Sequence, residues 1–171
     1  MKLLKCNIAD IGSEEIEKRF SELPENIKAH ISKKKSERER SLSTVGYSLA
    51  AKEGGEIGIL PSGKPHFKNS PLFFSISHSE NVVAVAISER EVGVDVEKLR
   101  NVRKGVANRF FTGSEAEYAG SDAERFFEIW TKKEAYAKAK GGMIYAIDCN
   151  MLEKEFYTED FDGYKIAVYE E

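Results

Sequence analysis

Two carboxylates lie two residues apart in the strictly alternating segment VGVDVE, residues 92–97. Side chains of a strand point alternately to its two faces, so the valines share one face, while Gly93, Asp95 and Glu97 share the other. Carboxylates this close repel each other unless water or a cation lies between them, and Gly93 leaves room for something to approach. The segment therefore predicts either a cation site or an edge strand with a solvated acidic face.

A second group of residues that could bind a metal ion or transfer a proton lies on a predicted helix. Trp130, Glu134 and Lys138 are four residues apart, which places them along one helix face. An ordinary Glu–Lys pair beside a core tryptophan would give the same spacing. Together with Asp95 and Glu97, however, Glu134 gives an oxygen-rich ligand set that suits Mg²⁺, whereas Zn²⁺ favours histidine or cysteine. Such a set indicates phosphate chemistry, with Lys138 adding positive charge and Glu134 accepting a proton from a hydroxyl.

Several basic and hydroxyl side chains suit an anionic ligand. They are Lys33, Lys34, Lys35, Arg38 and Arg40 around the start of a long helix, Lys64 in a Gly-Lys-Pro turn, and Ser77, His78 and Ser79 at a strand end. The stretch 98–112 holds five basic residues and no acidic one, so it would attract an acidic protein; they are Lys98, Arg100, Arg103, Lys104 and Arg109. Each segment taken alone is also typical of a solvated surface.

The composition excludes several classes of protein. The 171 residues carry a net charge of -3 and are 41% hydrophobic, so a packed core is expected without the basic excess of nucleic-acid binders. No apolar run approaches the roughly 20 residues of a membrane helix, and residues 1–7 lack a signal-peptide pattern. Cys6 and Cys149 have neither zinc-site nor disulfide-framework spacing. We expect a cytoplasmic protein that binds neither nucleic acid nor membrane.

Hydrophobic periodicity and turn residues predict the elements that position these groups. Strands are predicted at 1–9, 73–77, 82–88, 92–97, 156–158 and 164–169, helices at 13–23, 32–53, 104–111, 114–118 and 123–140, and a loop at 58–70. The strand at 82–88 is apolar on both faces and is expected at the centre of a sheet. The halves divide near residue 90 and share an order of elements, which predicts an α+β protein with a site possible at their junction.

Five segments resemble the Sfp-type 4′-phosphopantetheinyl transferases of the holo-acyl-carrier-protein synthase superfamily. They are GKPHF (63–67), FSISHS (74–79), VGVDVE (92–97), RFFTGSE (109–115) and WTKKEAYAKAKG (130–141). One segment alone would be a weak signal, but five in the same order are specific. The resemblance implies a pseudo-dimeric α+β fold, each half packing a small antiparallel sheet on a long helix. Residues 1–90 would contact coenzyme A, and residues 91–171 would supply metal ligands, catalytic carboxylates and a carrier-docking region.

The resemblance also implies roles for individual residues. Asp95, Glu97 and Glu134 correspond to the metal carboxylates, and Glu134 also to the residue that activates the carrier serine, directly or through water. Lys138 corresponds to the lysine that stabilises the transferring phosphate. The implied coenzyme A contacts are Lys64, His78 and Ser77 at its phosphates, and Arg40 with one of the lysines 33–35, for which Lys34 is chosen, at the 3′-phosphate.

The implied reaction is Mg²⁺-dependent transfer of 4′-phosphopantetheine from coenzyme A to a serine of an apo acyl or peptidyl carrier protein, releasing adenosine 3′,5′-bisphosphate. The chain is shorter than most two-half members, yet it carries both the HS-containing half and the DVE/KEA half, so an active monomer is expected. Two alternatives stay open. One is a non-catalytic protein of the same fold that binds coenzyme A or a carrier; the other is a Mg²⁺-dependent pyrophosphate hydrolase, although no P-loop is present.

Overall fold

The computed structural model describes residues 1–61, 63–102 and 105–171, and it confirms a mixed arrangement of helices and antiparallel sheets. The helices are α1 (Ser13–Glu22), α2 (Glu25–Ser32), α3 (Glu37–Gly54), α4 (Val106–Phe110), α5 (Gly113–Ala119) and α6 (Ala123–Lys140). The strands are β1 (Lys2–Asn7), β2 (Ile57–Ile59), β3 (Pro65–Phe67), β4 (Phe73–Ser79), β5 (Val82–Ser88), β6 (Val92–Lys98), β7 (Tyr157–Phe161) and β8 (Tyr164–Glu170). The predicted helix start at Lys104, and the basic residues Arg103 and Lys104, lie outside the described residues.

The first half is built around a three-stranded antiparallel sheet in the order β1-β5-β4. Every residue of β5 is buried, so its predicted central position is confirmed. Helix α3 covers the sheet and buries Leu42 and Val45, while α2 contributes Ile27 and Ile31 to the same core. These contacts fix the turn between α2 and α3 relative to the end of β4.

Helix α3 begins later than the sequence predicted. The prediction ran one helix from residue 32 to residue 53, whereas α2 ends at Ser32 and α3 starts at Glu37. A capping box explains the break, because Ser36 Oγ accepts from the Glu39 amide while the Glu39 carboxylate accepts from the Ser36 amide. The three lysines before Ser36 therefore lie in a turn rather than on a helix face.

The loop predicted at 58–70 contains a short hairpin, β2 with β3. The prediction was wrong here because three-residue strands are too short for alternation to be recognised. Gly58 lies opposite His66, and a Cβ on that glycine would come 2.6 Å from the His66 ring. Phe67 is buried and stacks near Phe74, so the hairpin is anchored to β4.

A second three-stranded antiparallel sheet, in the order β6-β8-β7, packs against the 18-residue helix α6. The bounds of α6 match the prediction: Asp122 caps its N-terminus by accepting from the Glu124 and Arg125 amides, and Gly141 ends it at φ 66°. Strands β7 and β8 join through a tight turn at Asp162-Gly163, where both residues have positive φ.

Strand β6 lies between strand β5 of the first sheet and helix α6. Its valines form one buried cluster with alanines and a valine of β5 and with apolar residues of β8. On the opposite face, a Cβ on Gly93 would lie 1.9 Å from the Ala135 carbonyl oxygen and 2.5 Å from the Ala139 amide of α6. The room that Gly93 leaves is therefore filled by α6 and not by a ligand, which corrects the expectation from sequence. This close approach brings the end of α6 over Asp95.

Candidate functional site

Asp95 lies at the junction of β4, β6 and α6, and only 4% of its surface is exposed. Its Oδ1 accepts a hydrogen bond of 2.8 Å from Ser77 Oγ and one of 2.7 Å from Lys138 Nζ. Its Oδ2 is buried and has no hydrogen-bond partner among the residues that the structure describes. The alternative of a solvated acidic face is thus wrong for Asp95. The alternative of an ordinary Glu134–Lys138 surface pair is also wrong, because Lys138 donates to Asp95 and Ser77.

The negative charges of Asp95 and Glu97 disfavour the ionisation of neighbouring carboxyl groups in this site. Burial raises the pKa of Asp95, an effect that the nearby Lys138 ammonium opposes and the charge of Glu97 reinforces. Burial is also the main cause that raises the pKa of Glu134, followed by the charge of Asp95. Glu97, at the end of β6, accepts from Ser79 at 3.1 Å and from Arg100 at 2.9 Å. A cation among the three carboxylates would relieve this repulsion.

The donor set suits Mg²⁺, although it is not a preformed cage. Within the described ranges, no three histidine, cysteine, aspartate or glutamate residues are arranged to hold a metal ion together. Mg²⁺ does not require such a cage, because it is usually held by one or two carboxylates and keeps waters or substrate phosphates as its other ligands. The unpartnered, buried Oδ2 of Asp95 is an oxygen of the required kind. The residues present therefore fit Mg²⁺.

A cleft of about 480 Å³ opens beside Asp95 and is lined by three lysines and a histidine. Lys34 comes from the turn before α3, Lys64 from the segment before β3, His78 from β4 and Lys138 from the end of α6. The structure thus brings together four predicted residues that are spread over more than a hundred positions. The rest of the lining consists of Ser43, Tyr47, Pro65, Phe74, Ser75, Ile76 and Gly141. Such a lining suits a ligand that carries several negative charges and an apolar or aromatic part.

His78 contributes a neutral ring to this cleft. Burial is the main cause that lowers its pKa, and the charges of Lys34 and Lys138 lower it further. At neutral pH the ring therefore offers a hydrogen bond and not a formal charge. The lysines carry the positive charge of the cleft.

Comparison with known proteins shows which family the second part of the chain resembles. Residues 91–167, which include β6, α6 and most of the second sheet, match the family model described as the 4′-phosphopantetheinyl transferase superfamily. This segment is therefore similar to members of that superfamily. The predicted resemblance is therefore confirmed, and it rests on the half of the chain that carries Asp95, Glu97, Glu134 and Lys138.

Curated members of the superfamily align with a larger part of the chain. The 4′-phosphopantetheinyl transferase gsp of Aneurinibacillus migulanus is 34% identical over 128 residues, covering 61% of this chain and 54% of the relative. The 4′-phosphopantetheinyl transferase of Bacillus subtilis is 30% identical over 116 residues, covering 64% and 51%. HetI of Nostoc is 36% identical over 116 residues, covering 56% and 49%. The chain spans about half the length of the curated relatives it matches.

Two residues chosen from the resemblance occupy positions beside the cleft and not on its surface. Ser77 bonds to Asp95, and Arg40 Nη1 donates to the carbonyl oxygens of Lys34 at 3.1 Å and Lys35 at 3.5 Å. Neither is among the described residues that line the cleft. Arg40 supports the turn that presents Lys34, and its contact with coenzyme A, like that of Ser77, stays a prediction.

A second cleft, of about 490 Å³, lies on the superfamily segment near Trp130. The Trp130 ring stacks on Phe126 and meets Phe110 edge to face, while the Arg100 guanidinium lies 5.0 Å from the centre of the Phe127 ring. An apolar cleft with a cationic rim is typical of a surface that binds an acidic partner. The lining is completed by Asn101, Val102 and Val106.

Sequence reasoning missed several residues of the site. Tyr47 lines the cleft beside Asp95 from α3, and burial raises its pKa to about 12, so its hydroxyl stays protonated. Tyr47 belongs to no spacing that indicates chemistry, because its position in the cleft depends on the packing of α3 on β4. Phe74 and Ser75 also line the cleft and were not assigned a role, although they lie within the recognised segment FSISHS, where the alternation of serines was the available signal.

Among the described residues no helix is long and apolar enough to cross a lipid bilayer.

Proposed function

We propose that this protein transfers 4′-phosphopantetheine from coenzyme A to a serine of an apo acyl or peptidyl carrier protein and releases adenosine 3′,5′-bisphosphate. The observation that carries the proposal is the meeting of Lys34, Lys64, His78 and Lys138 in one cleft beside Asp95. Coenzyme A combines a pyrophosphate, a 3′-phosphate and an aromatic base, which are the features that this lining suits. The names of the relatives support the same reaction.

In a pseudo-dimeric fold with halves 1–90 and 91–171, the two halves would contribute different residues to the cleft. Lys34, Lys64 and His78 belong to the first half and would bind the phosphates of coenzyme A, whereas Lys138 belongs to the second half. Because one chain supplies both sides of the cleft, the protein would act as a monomer. Its place of action would be the cytoplasm. A trimer in light scattering would contradict this arrangement.

The transfer is a displacement at the phosphorus that carries pantetheine. The oxygen of the carrier serine forms a bond to that phosphorus while the bond to the bridging oxygen of the adenosine bisphosphate breaks. The serine proton passes to Glu134, directly or through water, and the raised pKa of Glu134 makes it a stronger proton acceptor than an exposed glutamate. Lys138 Nζ offsets the charge that develops on the phosphate oxygens.

The carboxylates would hold Mg²⁺ beside the cleft. Asp95 would be the buried ligand, and Glu97 and Glu134 would supply further carboxylate oxygens. When bound, the ion neutralises the pyrophosphate and draws charge from the leaving group. The donor set and the orphaned Oδ2 of Asp95 support this assignment.

The cleft near Trp130 would dock the carrier protein. Its apolar floor, formed by Phe126, Phe127 and Trp130, and the cation of Arg100 at its edge would receive an acidic helical surface. This position lies on the same helix as Glu134 and Lys138, so a docked carrier would reach the reaction centre along α6.

Release of adenosine 3′,5′-bisphosphate from coenzyme A, followed by liquid chromatography with and without an apo carrier, separates the reaction classes. A transferase releases it only when both a carrier and Mg²⁺ are present. Release without a carrier would instead identify a pyrophosphate hydrolase. No release with any carrier, together with tight binding of coenzyme A, would identify a binding protein and contradict the proposal.

Lys34→Ala is expected to raise the KM for coenzyme A by about 10-fold and to leave kcat within about 3-fold. The Lys34 ammonium lines the cleft, and a hydrogen bond to a charged group contributes about 1.5–3 kcal/mol. Lys33→Ala is the matched control, since Lys33 is the preceding residue of the same turn and is not among the described lining residues. Steady-state kinetics of the two variants tests the assignment, and equal KM values would contradict it.

A further inference from the structure

Strands β4 and β6 belong to different sheets and are joined by serine side chains. Ser75, Ser77 and Ser79 alternate along β4. Their hydroxyls accept hydrogen bonds from successive outward amides of β6: Val94 at 3.1 Å, Val96 at 3.4 Å and Lys98 at 3.2 Å. The hydroxyls thus replace the carbonyl groups of a backbone ladder and hold the two halves in one register.

Two of the three serines also donate to a carboxylate. Ser77 Oγ donates to Asp95 Oδ1 at 2.8 Å, and Ser79 Oγ donates to Glu97 Oε2 at 3.1 Å. Each carboxylate stands 18 residues after its serine, and the residue 18 positions after Ser75 is Gly93, which has no side chain. The acidic partner is therefore present at two steps of the repeat and absent at the third.

The direction of the Ser77 proton is determined by its other bonds. A hydroxyl has one proton and two lone pairs. The Val96 amide and the Lys138 ammonium, at 3.4 Å and 2.8 Å, both donate to Ser77 Oγ, so its proton points to Asp95. These bonds fix Asp95 Oδ1 in position. Asp95 Oδ2 is buried and has no hydrogen-bond partner in the described part of the chain.

We propose that Ser77 and Ser79 are positioning residues that orient Asp95 and Glu97 for Mg²⁺. The inference rests on the proposed function and adds to it a role for the first half in building the metal site of the second half. A carboxylate oxygen fixed by a hydroxyl restricts the side-chain rotamer, so the remaining oxygen is already directed toward the cation. Ser77 would act on Mg²⁺ through Asp95, independently of the coenzyme A contact that the resemblance predicts for it.

Three alanine variants distinguish the positioning of the carboxylates from a purely structural role, in which the serines only connect β4 to β6. Mg²⁺ is titrated calorimetrically into protein saturated with coenzyme A. We expect Ser77→Ala and Ser79→Ala to weaken Mg²⁺ binding by roughly 10–100-fold, as loss of a ligand's hydrogen-bond partner usually does. Ser75→Ala loses the same kind of bond to β6 but no carboxylate contact. Because Ser75 also lines the coenzyme A cleft, coenzyme A is kept saturating for this variant, and its Mg²⁺ affinity should then stay within about 2-fold of wild type. All three should show a similarly lowered midpoint of urea unfolding, because each leaves a β6 amide without its partner.

A conservative variant completes the test. Ser79 is half-buried, so Ser79→Thr has room for a methyl group, keeps the hydroxyl and should restore Mg²⁺ affinity to within about 3-fold of wild type. Equal Mg²⁺ affinities in the three alanine variants, or failure of Ser79→Thr to restore affinity, would overturn the inference alone, provided that wild type binds Mg²⁺ and transfers. Wild type that does neither would overturn the proposed function itself, and the positioning role with it.

Discussion

Asp95→Asn is expected to lower kcat for transfer by roughly 10²–10³-fold, the usual range for removal of one preorganised electrostatic group. Asparagine keeps the shape of the side chain and one carbonyl oxygen, but it lacks the charge that holds Mg²⁺ and Lys138. The measurement is steady-state transfer at saturating coenzyme A, carrier and Mg²⁺. Asp160→Asn is the control, because Asp160 pairs with Lys165 on β7 and β8 and should keep wild-type activity.

The same variant should not unfold the protein. The folded pKa of Asp95 is raised by burial, so ionisation in the folded state is disfavoured relative to the unfolded chain. The contribution of this group to stability therefore falls as the pH rises from the unfolded pKa, about 3.9, through the folded one. At neutral pH, Asp95→Asn should show a urea midpoint equal to or above that of wild type. Full transfer activity, or a clearly lower midpoint, would contradict this account of Asp95.

Lys133→Met is expected to destabilise the protein by about 3–5 kcal/mol, because it leaves a buried charge without its partner. Lys133 Nζ lies 3.0 Å from Glu115 Oε2, and both side chains are 0% exposed. Glu115 also accepts from the Thr112 and Met151 amides, so this pair joins α5, α6 and the segment after Asn150. For a chain of this length the loss corresponds to a fall in Tm of roughly 10 °C, measurable by calorimetry.

Lys132→Met is the matched control for this prediction. Lys132 is the neighbouring residue on α6 and pairs with Glu128 at 2.6 Å, but the pair is partly exposed. It should contribute no more than about 1 kcal/mol. Combining Lys133→Met with Glu115→Leu should recover part of the stability, although the two amides that Glu115 satisfied would then lack a partner. Equal Tm values for the two single variants would show that the buried pair is not a major source of stability.

Local signals predicted the elements whose ends are set by local chemistry. Helix α6 matched its predicted bounds because Asp122 and Gly141 terminate it through their own side-chain and backbone conformations. Helix α3 did not, since the capping box at Ser36 lies inside a charged run whose composition continues unchanged into the helix. The β2–β3 hairpin was missed because its strands pair over three residues each, which is too short for an alternating pattern to be recognised.

The residues of the candidate site also fall into those that the sequence could predict and those that it could not. Asp95 and Lys138 were found because strand and helix periods assign them to faces, and the structure adds that they contact each other. The prediction for Gly93 was wrong because the two-residue period of a strand shows which face Gly93 lies on but not what packs against that face. The backbone of α6 packs there. Tyr47 could not be predicted as a lining residue, since it reaches the cleft through the packing of α3 on β4.

The measurement that tests the central claim most directly is the intact mass of apo acyl and peptidyl carrier proteins after incubation with this protein, coenzyme A and Mg²⁺. We predict that a carrier gains the mass of one phosphopantetheinyl group, that chelation of the metal prevents the gain, and that a carrier whose acceptor serine is replaced by alanine gains nothing. Unchanged masses for every carrier, with coenzyme A bound by the wild-type protein, would contradict the assignment of transferase activity.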